Sequence, residues 1–486
     1  MRKPLPGVLA SCHDGRQRRQ EPTMSPHSAQ SHEDGAPKGT SDEGSVRRQH
    51  GNNHGGGTPQ KQNLVVRFFK VLGPGLVTGA ADDDPSGVAT YSQAGAAFGN
   101  GLLWTVPLSL PLMMAVQETC DRVTLATGDS LGKLIRRKFS RGVGIVIGVL
   151  IVALIAANTL NLAADLNAIG QGAELLHAGR AWIWSTIAGT AILLTVMLGS
   201  FELIGRIFKW LCLVLLVYVG VLFATDVDWA DVGRGLVGMQ FSPTPAYLGL
   251  AVGVLGTTIS PYMFFWQSAQ RVEEIRDDHK DTSDLKGDTR PQARRQLRKS
   301  RLDVFTGMIF SVLIMFAIIA SSAATLGAHH ATVSSAAEAA KALEPIAGSW
   351  AGVLFALGFI GSGMLAVPVL AAAGAAGLSA LLNRNWGLDR SPRRAPLFYI
   401  LLGAGMVGGT ILAVVSTDPI GLLVLSAIVN GIAAGPFLII IMLIARDRSI
   451  MGRYRNGRLA ATLGWFTTGL MTVAGIYGIW YTIAGG

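Results

Sequence analysis

Three consecutive carboxylates, Asp82, Asp83 and Asp84, stand inside an otherwise apolar stretch, Val77-Thr-Gly-Ala-Ala-Asp-Asp-Asp-Pro-Ser-Gly87. A charged side chain at the centre of a lipid-exposed helix costs about 2.5 to 3.5 kcal/mol on insertion scales, so these acids need a protein-lined, wet or cation-filled setting. Directly after them, Pro85 removes a backbone donor and disfavours helical geometry at Asp84, and Gly87 adds freedom. A helix is expected to break there. A broken membrane helix frees carbonyls and puts half-helix ends beside the acids, which is how many transporters build an ion site near the midplane.

A second break is expected in Val252-Gly-Val-Leu-Gly-Thr-Thr-Ile-Ser-Pro261. Here Gly256, Thr257, Thr258 and Ser260 precede Pro261, and their hydroxyls can satisfy freed backbone groups. Two proline-kinked structural helices are the competing reading of the pair. The acid cluster opposite favours a site where the two breaks meet.

The elements that must position these residues are membrane spans. The chain has 486 residues, 50% hydrophobic and 15% charged, with mean hydropathy +0.40. The net charge of +10 lies in an N-terminal tail and in short loops between apolar runs, so it reads as topology-setting charge, and no nucleic-acid partner is expected. Three cysteines, two of them (Cys120 and Cys212) inside apolar segments, indicate neither a disulfide framework nor a zinc site. Residues 1–62 are polar and rich in Ser, Gly, His and Arg, and are expected to form a disordered cytoplasmic tail; 63–486 form the transmembrane domain.

About eleven spans are expected, near 66–98, 102–126, 143–167, 182–199, 205–224, 245–270, 303–326, 350–382, 396–415, 418–445 and 459–483, the first and sixth of them broken. Loops after even-numbered spans hold the basic residues, among them Lys133, Arg136, Arg137, Lys138 and Arg141, and later Arg446, Arg448, Arg453 and Arg455. Those loops, and the N-terminus, are therefore assigned to the cytoplasm, with the plasma membrane as the location. The stretch 271–301, dense in both signs, is expected to be a solvated loop with a short amphipathic helix. Interrupted helices at corresponding positions of two five-span halves point to an inverted-repeat transporter.

The run Asp84-Pro-Ser-Gly-Val-Ala-Thr-Tyr-Ser-Gln-Ala-Gly-Ala96 resembles the first-helix DPGN signature of Nramp divalent-metal transporters. Leu102-Leu-Trp104, Ala126-Thr-Gly128, Ala164-Asp-Leu166 with Gly170, and Leu425-Ser426 with Pro436-Phe437 are similar to further landmarks of that family. The resemblance covers about 64–483. It implies an all-α polytopic fold of the leucine-transporter type, five spans plus five plus one, and alternating access for a divalent cation. It also implies a metal site made of Asp84, the residue at Gly87, the Thr257 carbonyl and the residue at Ser260; Asp83, next to Asp84, is a candidate outer-shell acid.

Departures from the family pattern fall on that site. Gly87 stands where Nramps carry asparagine, and Ser260 where they carry methionine. A thioether favours softer transition metals, whereas carboxylate, hydroxyl, carbonyl and water suit Mg²⁺ and Mn²⁺. Two shortened side chains leave room for water, and Mg²⁺ dehydrates reluctantly. Met263, one turn past Ser260, reads as packing. Gln267 and Ala168 occupy the positions of a histidine and a glutamate on the family's proton route, and neither titrates near neutral pH. Asp165 remains. Gly361-Ser-Gly-Met-Leu-Ala366 replaces the helix-eight signature, and Ala427 a helix-ten glutamine.

This pattern resembles the Nramp-related magnesium transporters. It implies uptake of largely hydrated Mg²⁺, with Mn²⁺ as companion, without obligatory protons. Asp165, Gln267, Gln93 and Asn430 are candidates for the permeation or coupling path. The dication is cargo, no tightly bound cofactor is expected, and the partners expected are that ion and the bilayer, with the protein a monomer. The alternatives are a proton-coupled Mn²⁺ or Fe²⁺ symporter, an organic-solute carrier of the same fold, and a membrane-embedded enzyme using the three aspartates on bound metal. No second acidic motif, nucleophile or phosphate-binding loop in the other spans supports the enzyme.

Overall fold

The computed structural model describes residues 74–198, 201–277, 290–327, 351–416 and 419–483. The tail expected over 1–62 and the start of the first span lie outside the described residues. Among those described, the chain is helical throughout its regular structure: α1 Pro74–Asp82, α2 Pro85–Phe98, α3 Thr105–Thr127, α4 Leu131–Lys138, α5 Arg141–Leu175, α6 Ala181–Leu198, α7 Phe201–Val214, α8 Leu216–Ala224, α9 Trp229–Leu236, α10 Pro245–Thr258, α11 Pro261–Asp277, α12 Arg290–Thr325, α13 Ala351–Leu381, α14 Pro396–Val415, α15 Pro419–Arg446 and α16 Arg458–Ile483.

Over the described residues, each expected span falls on one of these helices or on an interrupted pair. Eight helical stretches among the described residues are long and apolar enough to cross a bilayer, the broken stretch Pro245–Arg276 counted as one. Pro85–Leu102 and α3 pass the same test only together, bent by 108°. The interruptions lie where proline dictates. Asp84 is extended (φ −68°, ψ 167°) ahead of Pro85, and it caps α2 with its side chain while proline occupies the first turn, where its missing N–H goes unneeded. Ser260 is likewise outside either helix, between Thr258 and Pro261.

Two differences from expectation have physical causes. The stretch expected as a solvated loop over 271–301 is helical at both ends, extending α11 to Asp277 and starting α12 at Arg290, well before position 303. Residues 290–301 are rich in Gln, Ala, Arg, Lys and Leu, which favour helix, and Ala293 is buried with Leu125 and Leu297. The fifth span is divided at Leu215 into α7 and α8.

Small residues let the broken helices approach their neighbours. A Cβ on Gly79 of α1 would lie 2.1 Å from the Gly307 carbonyl oxygen of α12, and one on Gly256 of α10 would lie 2.5 Å from the Ala427 carbonyl oxygen of α15. The first half of each interrupted span is thus seated backbone to backbone, the packing that small residues permit in membranes.

Candidate ion site

Asp84 sits at the mouth of the first break, and its carboxylate is held by the start of α2. Its Oδ1 accepts from the Ser86 hydroxyl at 2.6 Å and from the Gly87 backbone N–H at 2.7 Å. The Tyr262 hydroxyl, from the first turn of α11, lies 3.3 Å from both Asp84 Oδ2 and the Ala81 carbonyl oxygen. Ser86 Oγ is 3.4 Å from Thr257 Oγ1 on α10. A Cβ placed on Gly87 would come within 3.3 Å of Thr257 Oγ1, so position 87 faces the second break. Asp84, Ser86, Gly87, Thr257 and Tyr262 therefore converge from both interrupted spans.

Ser260 joins this group through Thr257. Its hydroxyl donates toward the Thr257 carbonyl at 2.7 Å and the Gly256 carbonyl at 2.9 Å, both freed by the end of α10. Serine has thus taken over the satisfaction of the carbonyls that the broken helix exposes. Met263 packs in the apolar core with Phe264, Phe265 and Trp266.

The other acids divide. Asp82 and Asp83 face α12, where Ser311 Oγ donates to Asp82 Oδ2 at 2.9 Å and lies 3.5 Å from Asp83 Oδ1, while Asp82 Oδ1 and Asp83 Oδ2 have no hydrogen-bond partner. Asp165, on α5, has Asp84 and the Ser86 backbone N–H as electrostatic neighbours, and neither of its oxygens closes a hydrogen bond of normal geometry. Asp82, Asp83, Asp84 and Asp165 are all at most 1% exposed, as are Thr257 and Ser260, so this conformation seals the breaks from water. Among the described residues none of the four acids is ion-paired with a basic side chain. Buried carboxylates without a positive partner call for a cation or protons.

Three expected path residues lie away from this centre. Gln93 is half-buried on α2, seven residues or two turns beyond Ser86. Asn430 is buried on α15 with neither side-chain amide atom partnered. Gln267 belongs to a polar layer at the basic end of the bundle: Thr78 Oγ1 of α1 donates to Gln267 Oε1 at 2.7 Å, and Gln267 Nε2 donates to Asp121 Oδ1 of α3 at 3.1 Å. Arg271 completes that layer, with Nε 2.5 Å from Asp121 Oδ1 and a terminal nitrogen 3.5 Å from Asp303 Oδ2. Ser300 also donates to Asp121, and Asp303 accepts the Gly75 backbone N–H at 2.9 Å.

Sequence reading missed Tyr262, Thr78, Asp121, Arg271 and Asp303. A signal for Asp121 was present, since an acid inside an expected span requires a partner. Tyr262 was hidden in an aromatic run that looks like packing. The Tyr91 and Thr258 hydroxyls are 2.8 Å apart, tying α2 to α10.

Two interrupted spans closed around cation-deficient carboxylates, inside an all-helical membrane bundle, define a transporter of the inverted-repeat class. The chain belongs to the Nramp family, whose profile, described as natural resistance-associated macrophage protein-like, matches residues 75–481. Among curated proteins, it is 27% identical to a divalent metal cation transporter MntH of Ralstonia nicotianae, covering 88% of this chain and 94% of that one. It is 27% identical to the MntH of Deinococcus radiodurans, covering 87% and 92%. Among solved structures, a manganese transporter of Eremococcus coleocola superposes with a TM-score of 0.71 at 18% identity, covering 88% of this chain and 89% of the other. Mhp1, a nucleobase-cation-symport-1 family transporter, superposes with a TM-score of 0.53 at 16% identity over 84% and 90%. Those likenesses establish a shared fold.

Proposed function

We propose that this chain carries a divalent metal cation across the plasma membrane by alternating access, holding it between the two helix breaks, with Mg²⁺ and Mn²⁺ as the preferred ions. The relatives named as divalent metal cation transporters support the substrate class. The observation that carries the ion preference is the lining: an Asp84 carboxylate, the Ser86, Thr257, Ser260 and Tyr262 hydroxyls, and the Thr257 carbonyl, all oxygen. Such a set suits hard, hydrated dications. Asp84 supplies the charge, Ser260 and the Thr257 carbonyl contact the ion or its waters, Gly87 leaves space for water, and Asp83 acts as an outer acid.

Proton coupling is not obligatory in this reading. Gln267 is engaged by Thr78 and Asp121 and carries no titratable proton. A negative-inside potential supplies about 2.3 kcal/mol per charge per 100 mV, hence about 4.6 kcal/mol for a dication entering the cell. The basic ends of the spans face the cytoplasm, and the protein works as a monomer. Asp165 favours a second reading, proton-coupled Mn²⁺ transport, because a buried carboxyl beside Asp84 without a closed hydrogen bond can accept a proton.

Reconstituted flux separates the two. Protein in liposomes is given Mg²⁺ or Mn²⁺ at set membrane potentials with internal pH recorded, and Asp84→Ala serves as control. Potential-driven Mg²⁺ flux without acidification, lost in the variant, is expected. Metal-driven acidification abolished by Asp165→Asn would install the symporter instead, and Mg²⁺ flux that survives in Asp84→Ala would remove the site.

A further inference from the structure

A crevice of about 870 Å³ opens on the outside of the bundle where α4 turns into α5, with the end of α13 as its far wall. Arg136 and Arg141 line its mouth, and no carboxylate does. Among the described residues neither guanidinium is ion-paired, although Lys138, between them in sequence, is engaged by Asp447.

Below the arginines the lining turns wholly apolar. Ile145 and Val149 on α5 are 62% and 63% exposed, and Leu378 and Leu382 close the opposite side. An apolar surface that open is at home only against hydrocarbon. The trough exists because α5 carries glycine at 144 and 148, one turn apart. A Cβ on Gly144 would meet no protein atom within 4 Å, and one on Gly148 would touch only Leu381, at 3.4 Å.

We infer that this crevice between α4, α5 and α13 binds an anionic glycerophospholipid, with the headgroup phosphate between Arg136 and Arg141 and an acyl chain lying along the glycine-floored trough. Charge complementarity selects the headgroup: two guanidiniums offer paired donors of the geometry that suits phosphate oxygens. Position selects a lipid over a free anion, because the basic mouth sits where the span Arg141–Leu175 begins and the trough runs along that span. Basic pockets between membrane helices at this level are suited to anionic headgroups. The bound lipid would wedge α5, which carries Asp165, against α13.

The full chain, purified in detergent, is titrated with phosphatidylglycerol, with phosphatidylcholine of the same acyl chains and with inorganic phosphate. Retention is followed by native mass spectrometry and by thermal unfolding. Phosphatidylglycerol is expected to be retained and to stabilise, and the other two are not. Arg136→Gln with Arg141→Gln should weaken that binding about thirtyfold, at about fivefold for each basic contact near the membrane surface. Gly144→Leu keeps every charge and should weaken it by filling the trough. Arg137→Gln, exposed and outside the crevice, should change nothing. Equal retention of phosphatidylcholine, stabilisation by inorganic phosphate, or undiminished binding in the double variant or in Gly144→Leu would each overturn the assignment, as would an equal loss in Arg137→Gln.

Discussion

The Thr78 hydroxyl donates to Gln267 Oε1 across 2.7 Å, and through that bond the first half-helix is fastened to the second half of the other interrupted span. Gln267 passes the connection on to Asp121, which Arg271 and Ser300 also hold. For α1 to swing away from α11 the Thr78 bond must open, whereas the Gly75 N–H to Asp303 bond ties α1 to α12. The residue that the family resemblance places on a proton route is here a hydrogen-bonded link between α1 and α3.

Thr78→Val keeps the shape of the side chain and removes the donor. A buried acceptor left short of a partner costs about 1 to 3 kcal/mol, a cost borne only while α1 is closed. The balance should therefore move toward the open state by at least about fivefold. A cysteine at Ala80, 0% exposed in the closed form, reports this in a Cys12→Ser background. Its modification by an impermeant thiol reagent should quicken in the Thr78→Val variant, and an unchanged rate would mean that this bond does not hold α1 shut.

Arg271 is 7% exposed and its partner Asp121 is fully buried, so loss of the arginine strands charge. Deleting one member of a buried ion pair costs about 3 to 5 kcal/mol, because the survivor stays buried without compensation. Arg271→Met should lower the thermal midpoint by several degrees, far more than Arg137→Met on the exposed face of α4. Adding Asp121→Asn should recover part of the loss, since it removes the stranded charge. A double variant as unstable as the sum of the singles would show that Arg271 acts through packing alone.

Lys138, at the end of α4, pairs with Asp447, which follows α15. Hydrogen bonds from Lys138 and then from Ser449 hold the Asp447 carboxyl below the usual carboxylate range. A carboxyl depressed in the folded state adds stability that is complete above its unfolded value, about 3.9, and fades as pH falls through the lower folded value. Asp447→Asn should then unfold earlier than the parent at pH 7, by a margin set by a partly exposed pair and therefore modest. The margin should narrow below about pH 4. Thermal unfolding followed across pH checks it, and a margin that is flat down to strong acid would show that the effect does not come from the ionised carboxylate.

How much of this could be read in the sequence follows from the range of the interactions involved. Pro85 and Pro261 act on their own neighbours, so both breaks were legible; that Asp84 also caps α2 was not. The spans were legible because lipid demands long apolar runs. Partners across the bundle were not: nothing near Thr78 announces Gln267, 189 positions on, and nothing near Asp121 announces Arg271, 150 positions on. The stretch 271–301 departs from the expected loop at its two ends, where 271–277 and 290–301 continue α11 and α12 through good helix formers, because charge of both signs is compatible with a solvated helix as well as a solvated loop. Ser260 was expected beside the ion; its attachment to the Thr257 carbonyl depends on the angle at which α10 ends, which local composition does not encode.

That attachment makes Ser260→Met the sharpest probe of ion preference. Methionine brings a thioether, which favours softer metals, and it is flexible enough to fit an irregular space. It also takes away the hydroxyl that bonds the Thr257 and Gly256 carbonyls at 2.7 and 2.9 Å, leaving the first of these able to face an ion with both lone pairs. Both changes replace water in the ion's shell by protein, and Mg²⁺ tolerates that least. Competition for uptake in liposomes should move toward Mn²⁺ and Cd²⁺ over Mg²⁺ by about tenfold, or about 1.4 kcal/mol of relative binding. If Ser260→Ala, which frees the same carbonyls without adding sulfur, produced the whole shift, the carbonyl would be the discriminating ligand. If neither variant altered the order of ions, the selectivity would not reside at the second break, and the oxygen lining there would be scaffold for a site centred on Asp84 and Asp165 alone.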